Sequence, residues 1–496
     1  MNNALYVAVD LGAGSGRVML AGMAPGELRL DEIRRFTYPM EKRDGHLRWP
    51  FGHILAEIEL GLGQAAVAAK ALGRPIRSVG VDTWGVDYGF IDAHGALVED
   101  PITYRDDRTA DEMAAVFARL PRSEVFARTG IQFLVFNSLF QLHAHRRAGL
   151  PARGQRLMMM ADLIHHHLCG KVAIEYSNAT TTQMVNAQTG TWDPDLLRLL
   201  DLPAGMLPEI VPSGADLGGL RPELATSLGL QGVRVVAPAT HDTGSAVVGA
   251  PLQAGWAYIS SGTWSLVGVE RDQPLINADV ARENFTNEGG AYGTIRFLKN
   301  VMGLWLLESC RKEWQAQNRD VAYGTLLEQV AALPVQGPVV CPDDQRLFNP
   351  QSMLAALSTQ LTEAGQTVPE SPAAMTKVIL DSLALRYARV LQIIERLTGQ
   401  TVAGIQIVGG GCQNDYLNQA TADAAGKPVL AGPVEATAGG NVMVQAIAAG
   451  QFAGLAEART HVRECVSLRR FTTDPTRFSE STRRQYAAAE ARLLAG

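Results

Sequence analysis

The sequence predicts an α/β protein built from two domains. Its length of 496 residues exceeds the roughly 250–300 residues at which a single hydrophobic core stops growing. Strand-like and helix-like segments alternate along the chain, which is typical of an α/β fold. A hairpin of strand, small-residue turn and strand occurs near the amino terminus (LYVAVDLGAGSGRVMLAG) and again in the second half (WAYISSGTWSLVGVE). We therefore expect two domains, over residues 1–244 and 245–496.

The composition excludes several classes of function. Hydrophobic residues make up 47% of the chain and charged residues 19%, which is typical of globular proteins and not of disordered ones. The formal net charge of −6 gives no electrostatic reason to bind nucleic acid. Five dispersed cysteines without CxxC spacing suit a reducing compartment, and the amino terminus resembles neither a signal peptide nor a membrane span. We expect a cytoplasmic protein that binds neither nucleic acid nor membranes.

The first hairpin carries a glycine-rich turn, Gly12 to Arg17, shortly after Asp10. A dinucleotide-binding GxGxxG opens a helix, and a Walker A loop ends in GK followed by Ser or Thr; here the glycines lead into a strand, and GK[ST] is absent from the sequence. Backbone N–H groups of this turn could hold phosphate oxygens, with Ser15 and Arg17 as side-chain donors, and Asp10 could hold a hydrated Mg²⁺. An ordinary glycine-rich hairpin explains the bare motif equally well.

Two further loops could contribute to a phosphate site. The segment 260–263 (SSGT) occupies the turn of the second hairpin, and 409–414 (GGGCQN) joins a strand to a helix, where amides at the helix N-terminus attract anions. Taken alone, such glycines more often allow close packing. His165, His166 and His167 are consecutive on a predicted helix and point in different directions, so we assign them no chemistry.

Asp242 is the best candidate for a catalytic base. It lies in THDTGSA, at a tight turn after a buried strand, between His241 and Thr243, whose side chains could bind substrate hydroxyls. The structural alternative is that Asp242 only caps the next helix. Trp84 and Asp87 could form a sugar platform and a hydroxyl acceptor, although a Trp in a hydrophobic core explains the pattern equally well.

Nine segments, taken in chain order, resemble the FGGY family of carbohydrate kinases and, within it, the rhamnulokinases. They are DLGAGSGR, GVDTWGVDYGF, ITYRDDRT, SNATTTQMVN, THDTGSA, YISSGTWSLVG, TNEGGAYG, FLKNVMGLWLL and VGGGCQND. The resemblance implies two actin-like (ribonuclease H-like) domains with a nucleotide cleft between them. It also implies ATP with Mg²⁺ as the phosphoryl donor, and transfer of the γ-phosphoryl group to O1 of L-rhamnulose.

The resemblance further implies roles for individual residues. Asp242 matches the family's proton acceptor. The positions that match sugar contacts are Gly85, His241, Asp242 and Thr243. The positions that match nucleotide contacts are Ala13, Gly14, Ser15, Gly16, Arg17, Thr263, Glu308 and Gly410, with Asn300 also facing the active cleft. The first domain would then hold the sugar and the first phosphate loop, and the second domain would hold the nucleotide.

Two positions depart from the family pattern, and two other functions stay open. Gly14 stands where Ser or Thr is usual, which removes a hydroxyl donor to phosphate but keeps the backbone N–H. Glu308 stands where Gln is expected, which places a carboxylate at that contact with ATP. A kinase for another ketose, such as L-fuculose or xylulose, would differ only in pocket hydrogen bonds. An actin- or chaperone-like ATPase would hydrolyse ATP regardless of sugar, although the polar THDTGSA suits a hydroxylated substrate better. The sequence leaves the oligomeric state open.

Overall fold

The structure, a computed structural model, describes residues 4–203, 205–319 and 322–494. The chain folds into two compact units. Unit 1 comprises Met1–Pro251, Glu270–Phe297 and Glu435–Val466, and unit 2 comprises Leu252–Val269, Leu298–Val434 and Ser467–Gly496. Unit 1 thus includes two segments from the second half of the chain, one of which carries a helix that packs on its first strand. The boundary expected between residues 244 and 245 stays a prediction.

Within the described residues, the strands form a six-stranded sheet, a seven-stranded sheet and short two-stranded ribbons. In chain order they are β1 Leu5–Leu11, β2 Ser15–Ala24, β3 Glu27–Thr37, β4 Glu41–Arg43, β5 His46–Arg48, β6 Ile76–Thr83, β7 Tyr88–Ile91, β8 Arg156–Met159, β9 Ile174–Glu175, β10 Ile210–Val211, β11 Asp216–Gly219, β12 Arg234–Val236, β13 Ala257–Ser261, β14 Trp264–Arg271, β15 Thr286–Gly289, β16 Ile295–Met302, β17 Ile405–Val408, β18 Val429–Ala431 and β19 Arg469–Phe471.

The α-helices alternate with the strands along much of the chain. In chain order they are α1 Phe51–Ala71, α2 Glu112–Arg119, α3 Arg122–Thr129, α4 Ser138–Ala148, α5 Met160–Cys169, α6 Tyr176–Thr181, α7 Pro194–Leu199, α8 Pro222–Leu228, α9 Asp242–Gly249, α10 Ala278–Arg282, α11 Trp305–Ala316, α12 Tyr323–Ala331, α13 Met353–Glu363, α14 Pro372–Thr398, α15 Asp415–Ala425, α16 Ala436–Ala448, α17 Leu455–Cys465 and α18 Glu480–Leu494. Short 3₁₀ turns lie at Asp107–Thr109, Ala291–Gly293, Gln345–Leu347 and Gly410–Gln413. Within the described ranges, no helix is both long and apolar enough to cross a membrane.

The sheet of unit 1 has the strand order β11-β12-β6-β1-β2-β3. The hairpin β1–β2 that the sequence predicted is confirmed, with Leu5 opposite Gly22 and Leu11 opposite Gly16. The strands β1 and β12 both run parallel to β6. The carboxyl ends of β1, β6 and β12 therefore lie at one edge of the sheet, which is where open α/β sheets bind ligands.

Two glycines let α9 and α16 cross at backbone contact distance in unit 1. A Cβ atom added to Gly440 would lie 1.8 Å from the carbonyl oxygen of Ser245, and one added to Gly249 would lie 2.1 Å from that of Ala436. No other residue type fits at either position. Residues of α16, such as Val442 and Met443, are fully buried against the first hairpin in the same hydrophobic cluster. This crossing fixes the axis of α9, the helix that begins at Asp242.

The sheet of unit 2 repeats the plan of the first hairpin. Its strand order includes β16-β14-β13-β17-β18-β19, with β13 antiparallel to β14 and parallel to β17. The second hairpin is thus confirmed. Apolar residues at helical spacing, among them Leu383 and Tyr387, form the fully buried stripe of the long helix α14. A parallel strand that leads into a loop and then into a helix recurs at β17 and α15.

Candidate active site

Three aspartates lie at one edge of the unit 1 sheet. Asp10 in β1 is in register with Asp82 in β6. Asp242 begins α9 after β12, and the preceding residue, His241, forms a parallel bridge with Thr83 at the end of β6. The side chain of Asp242 is 26% exposed to solvent, so a small molecule can reach it. The structure therefore brings the predicted Asp10 and Asp242 to one edge and adds Asp82, which the sequence analysis did not single out.

Burial and mutual repulsion raise the pKa of two of these carboxyl groups. Burial, reinforced by the negative charge of Asp10, raises the pKa of Asp242 to about 6, against the opposing influence of His241. Burial, together with the charges of Asp10 and Asp242, raises the pKa of Asp82 well above its ordinary value, although Asn441 donates to its Oδ2 atom at 2.6 Å. A carboxylate with a pKa near 6 is ionised at neutral pH and still basic enough to accept a proton.

The pair Asp10 and Asp82 fits a divalent cation. The Oδ1 atom of Asp82 is buried and has no hydrogen-bond partner in the described part of the chain. Mg²⁺ in phosphoryl-transfer sites usually takes one or two carboxylates and fills its other positions with water and phosphate oxygens. Such a two-carboxylate site is compatible with the observation that, among the described residues, no group of three His, Cys, Asp or Glu side chains has metal-binding geometry.

Arg17 connects Asp10 to a residue distant in the chain. It lies opposite Asp10 across the first hairpin, with Nη2 at 2.5 Å from the Asp10 Oδ2 atom. Its Nη1 atom forms an ion pair with Glu435, which immediately precedes α16. The sequence analysis missed Glu435 because 418 positions separate it from Arg17. The guanidinium group therefore lies among carboxylates at the base of the glycine-rich turn.

The glycine-rich turn is stabilised by a hydrogen bond from the hydroxyl group of Tyr38. The Gly12 N–H donates to the carbonyl oxygen of Ser15 at 3.0 Å, and the Tyr38 hydroxyl donates to the same carbonyl at 2.9 Å. Gly14 is exposed, and a Cβ atom added there would meet nothing within 4 Å. Gly16 is different, because an added Cβ would lie 2.4 Å from a leucine methyl group of β1. Packing therefore requires glycine at 16 and does not require it at 14.

Trp84 and Asp87 form part of a buried polar cluster beside the aspartate edge. Trp84 is 6% exposed and tilts against Trp49 at a ring-centroid distance of 4.4 Å. The Asp87 Oδ2 atom accepts the indole N–H of Trp49 at 2.7 Å, that of Trp84 at 2.9 Å and the backbone N–H of Tyr104 at 3.2 Å. Gln141 donates to Oδ1 at 3.2 Å. Burial raises the pKa of Asp87 to about 6, and protein donors already surround its carboxylate.

The backbone between these two residues is strained. Val86 has φ of 68°, a left-handed conformation that is an outlier for a β-branched residue. Its N–H donates to Thr181 Oγ1 at 3.0 Å, and its carbonyl accepts from Ser138 Oγ at 2.5 Å. A Cβ atom on Gly85 would lie 2.9 Å from the Thr181 side chain. Backbone strain that several surrounding contacts maintain is concentrated at functional sites. No sequence signal identified Val86.

His241 and Thr243, on either side of Asp242, contact a buried arginine that the sequence analysis missed. Arg296 in β16 is fully buried, donates from Nη1 to Thr243 Oγ1 at 2.7 Å and from Nη2 to His241 Nδ1 at 3.0 Å. Glu288 in β15 lies 3.1 Å from the same Nη2 atom. The motif TNEGGAYG had contained Glu288 without indicating its role.

In unit 2, the candidate nucleotide residues Thr263 and Gly410 follow neighbouring parallel strands, β13 and β17. The backbone N–H groups of Gly303 and Trp305 donate to the Thr263 carbonyl, each at 3.2 Å. Gly410 is open, with no atom within 4 Å of an added Cβ, whereas a Cβ on Gly411 would lie 2.1 Å from a serine hydroxyl at the end of β13. The two loops therefore lie at the same edge of this sheet.

The other predicted positions lie nearby in the chain of unit 2. Glu308 is in the first turn of α11, 48% exposed at its side chain, and pairs with Arg311 at 3.0 Å. Asn300 is half-buried in β16. The contacts of Asn300 and Glu308 with a nucleotide stay predictions.

The three consecutive histidines of α5 have separate environments. His165 Nε2 accepts from the Val81 N–H at 3.1 Å, His166 Nε2 lies 3.0 Å from the Gly95 carbonyl, and His167 Nε2 lies 2.7 Å from Glu59. Burial lowers the pKa of His165 to about 3. These contacts account for the side chains as structural groups of α5.

Comparison with known proteins identifies the family. Residues 5–249 match the N-terminal domain of the FGGY family of carbohydrate kinases, and residues 257–449 match its C-terminal domain. A rhamnulokinase of Bacteroides thetaiotaomicron is 42% identical over 94% of this chain and 95% of its own length. One of Pectobacterium carotovorum is 44% identical over 94% of this chain and 92% of its own length. The crystal structure of a gluconate kinase from Lactobacillus acidophilus superposes with a TM-score of 0.81 at 13% identity, covering 99% of this chain and 98% of that one. The sequence prediction is thus confirmed: the chain is a sugar kinase that belongs to the FGGY family of carbohydrate kinases.

Proposed function

We propose that this enzyme transfers the γ-phosphoryl group of ATP to O1 of L-rhamnulose, giving L-rhamnulose 1-phosphate and ADP. The observation that carries the proposal is the similarity, over nearly the whole chain, to proteins named rhamnulokinase. A reachable carboxylate with a pKa of about 6, flanked by hydrogen-bonding side chains, supports it independently.

In the proposed mechanism, Asp242 accepts the proton of the O1 hydroxyl group. The O1–H bond breaks as a new bond forms between O1 and the γ-phosphorus, and the bond from the γ-phosphorus to the bridging oxygen breaks as ADP leaves. A general base of this kind contributes typically about 10²–10⁴ in rate. The Asp242 side chain is 26% exposed, and this exposed part would meet the substrate. The flanking His241 and Thr243 would bind sugar oxygens.

The remaining residues of the proposed site would bind the triphosphate and neutralise its negative charge. Asp10, with Asp82 beside it, would hold Mg²⁺, which when bound neutralises phosphate charge. The turn from Ala13 to Gly16 would offer backbone N–H groups to phosphate oxygens, with Arg17 beneath it as a cationic donor. In unit 2, Thr263 and Gly410 would contact the nucleotide at the edge that their loops share.

Trp84 and Gly85 are the proposed sugar-facing positions of the strained segment. Asp87 was predicted to accept a sugar hydroxyl, but its carboxylate already receives hydrogen bonds from Trp49, Trp84, Tyr104 and Gln141. We propose that Asp87 acts through Trp84, by holding the indole ring.

An ADP-release assay with a panel of acceptors tests the substrate. L-Rhamnulose, L-fuculose, D-xylulose and glycerol would be compared at equal concentrations with MgATP, together with a reaction lacking sugar. The proposal expects kcat/KM to be highest for L-rhamnulose, by about 10-fold or more, because a misplaced hydroxyl leaves buried polar groups unpaired. A higher value for another ketose would reassign the substrate, and sugar-independent ADP release would indicate an ATPase.

The variant Asp242→Asn tests the base. It keeps the shape of the side chain and should lose about 10²–10⁴ in kcat, while the dissociation constant for the sugar stays near that of the native enzyme. Asp216→Asn is a suitable control, since Asp216 is paired with Arg234 on an exposed strand of the same sheet. Near-native turnover by Asp242→Asn would remove Asp242 from the mechanism.

A further inference from the structure

Arg296 is a fully buried cation with four polar contacts to protein groups. Its Nε atom donates to the Gly289 carbonyl at 3.0 Å, its Nη1 atom to Thr243 Oγ1 at 2.7 Å, and its Nη2 atom to His241 Nδ1 at 3.0 Å. Glu288, 5% exposed, lies 3.1 Å from Nη2 and balances the charge. An arginine guanidinium is a donor only and does not lose its proton in proteins. Each of its partners must therefore act as an acceptor.

This requirement fixes the proton of His241. Because Arg296 Nη2 donates to Nδ1, the Nδ1 atom must carry a lone pair, and the ring proton must be on Nε2. The alternative tautomer would bring two N–H groups face to face at 3.0 Å. Glu288 Oε2 lies 3.3 Å from the same Nδ1 atom and could accept a hydrogen bond from it if Nδ1 were protonated. Arg296 Nη2 is closer, at 3.0 Å, and its hydrogen bond occupies the lone pair of Nδ1.

The same argument fixes the hydroxyl group of Thr243. Its Oγ1 atom accepts from Arg296 at 2.7 Å, so its own hydrogen must point elsewhere, as a donor. The Nε2 atom of His241 lies 3.3 Å from Thr243 Oγ1 and 3.5 Å from Asp242 Oδ1. The two residues that flank the carboxylate are thereby both donors.

We propose that Arg296, together with Glu288, is a positioning residue that holds His241 as the Nε2–H tautomer and makes the Thr243 hydroxyl group a donor. The sugar site then presents these two donors beside one acceptor, the Asp242 carboxylate. The inference rests on the proposed function for its consequence, since the donors would select a sugar oxygen that accepts, such as a carbonyl oxygen, next to the hydroxyl group that Asp242 deprotonates. The tautomer itself does not depend on the identity of the substrate.

The tautomer is measured directly by two-bond ¹⁵N–¹H correlation spectra of ¹⁵N-histidine-labelled enzyme without ligands, with His241→Asn to assign the signal. The expected native result is a neutral His241 ring with the proton on Nε2. In Arg296→Met, the Glu288 carboxylate at 3.3 Å is the nearest remaining partner of Nδ1 and accepts only, so the proton should move to Nδ1. In Glu288→Gln, the Nε2–H tautomer should persist. A native Nδ1–H tautomer, a doubly protonated ring at neutral pH, or an unchanged tautomer in Arg296→Met would overturn the proposal.

Kinetics of a second variant separate positioning from simple loss of stability. Arg296→Lys keeps the charge but lacks the fork that reaches His241, Thr243 and Gly289 together. We expect its KM for L-rhamnulose to rise by about 10-fold or more, with the KM for ATP within about 2-fold of native. Arg459→Lys is the matched control, because Arg459 pairs with Glu270 and contacts the other end of α9 through the Val247 carbonyl. Equal rises in both KM values, or the same change in the control, would contradict the assignment.

If Arg296→Met does not fold, the native spectrum and Glu288→Gln still decide the tautomer. If the enzyme prefers another acceptor than L-rhamnulose, the kinetic comparison is made with that acceptor. Failure of the proposed substrate and failure of the tautomer lock thus give different results.

Discussion

Arg17 and Asp10 occupy facing positions of the first hairpin, and their side chains form an ion pair with Nη2 and Oδ2 separated by 2.5 Å. One of these residues is the proposed phosphate donor, and the other is the proposed cation ligand. The ion pair therefore couples the two roles, because the carboxylate that would hold Mg²⁺ is partly neutralised by the guanidinium group.

Replacing Arg17 by Gln should separate those roles. We expect the KM for ATP to rise by about 10-fold or more, since a charge-assisted hydrogen bond is worth about 1.5–3 kcal/mol. The free Mg²⁺ concentration at half-maximal rate should fall, because Asp10 regains its full negative charge. Initial rates over a matrix of ATP and free Mg²⁺ concentrations measure both. Arg34→Gln, which breaks an ion pair between β3 of the same sheet and Glu57 of α1, should change neither. An unchanged KM for ATP in the Arg17 variant would count against the phosphate role.

The activity should depend on the ionisation of Asp242. Burial raises the pKa of Asp242 to about 6, and only the ionised form accepts a proton. The value of kcat/KM for the sugar should therefore be constant near pH 7.5 and fall as the pH decreases through about 6. Steady-state rates between pH 5 and pH 8 test this, at pH values where circular dichroism shows a folded protein. Asp242→Glu should shift the midpoint of the profile, and a midpoint that stays in place would assign it to another group.

The local elements of this fold are readable from the sequence because they depend on neighbouring residues. The two hairpins follow from apolar strands around small-residue turns, and α14 follows from its helical apolar stripe. Asp10 and Asp242 could be singled out because each follows or ends a strand, and the ends of parallel strands share an edge.

The partners of those residues could not be read in the same way. Glu435 meets Arg17 from 418 positions away, and Arg296 meets Thr243 from 53 positions away, through pairings that no local pattern records. Asp82 lies within a buried strand, where its register with Asp10 decides its role. The carboxylate of Asp87 was expected to be open, and its four donors come from four separate segments.

The variant Asp87→Asn distinguishes a positioning role from direct sugar contact. The one oxygen of an amide at this position can replace Oδ2 as acceptor for the indole N–H groups of Trp49 and Trp84, so its NH₂ group would face the NH₂ group of Gln141. Buried donors would then be left unpaired, at a cost of about 1–3 kcal/mol each. We expect a lower melting temperature and altered tryptophan fluorescence without any ligand. Asp92→Asn, at an exposed turn, should change neither. A native melting temperature and spectrum, combined with a raised KM for the sugar, would favour direct contact instead.

The departure from the family pattern at position 14 should be reversible by substitution. Gly14 has free space around an added Cβ atom, so Gly14→Ser should fold normally and offer a hydroxyl donor to phosphate. One neutral hydrogen bond is worth about 0.5–1.5 kcal/mol, so the KM for ATP should fall by about 2–10-fold. Gly16→Ser is the contrasting variant, since its Cβ would lie 2.4 Å from a β1 side chain and should lower the melting temperature. No gain in ATP affinity from Gly14→Ser would mean that the turn does not face the phosphates.

The crossing of α9 and α16 should be sensitive to a single methyl group. Gly440→Ala places a Cβ atom 1.8 Å from the Ser245 carbonyl oxygen, which is backbone and cannot rotate away, so the helices must separate. Overpacking costs typically about 1–3 kcal/mol, which exceeds the gain of about 1 kcal/mol from replacing glycine by alanine within a helix. Gly63→Ala in α1 is the matched control, because its Cβ would meet only a leucine methyl at 3.8 Å and should be neutral or stabilising. Thermal unfolding measures both. Because α9 begins at Asp242, the Gly440 variant should also lose kcat at temperatures where it stays folded, and native turnover there would show that the carboxylate is positioned independently of the crossing.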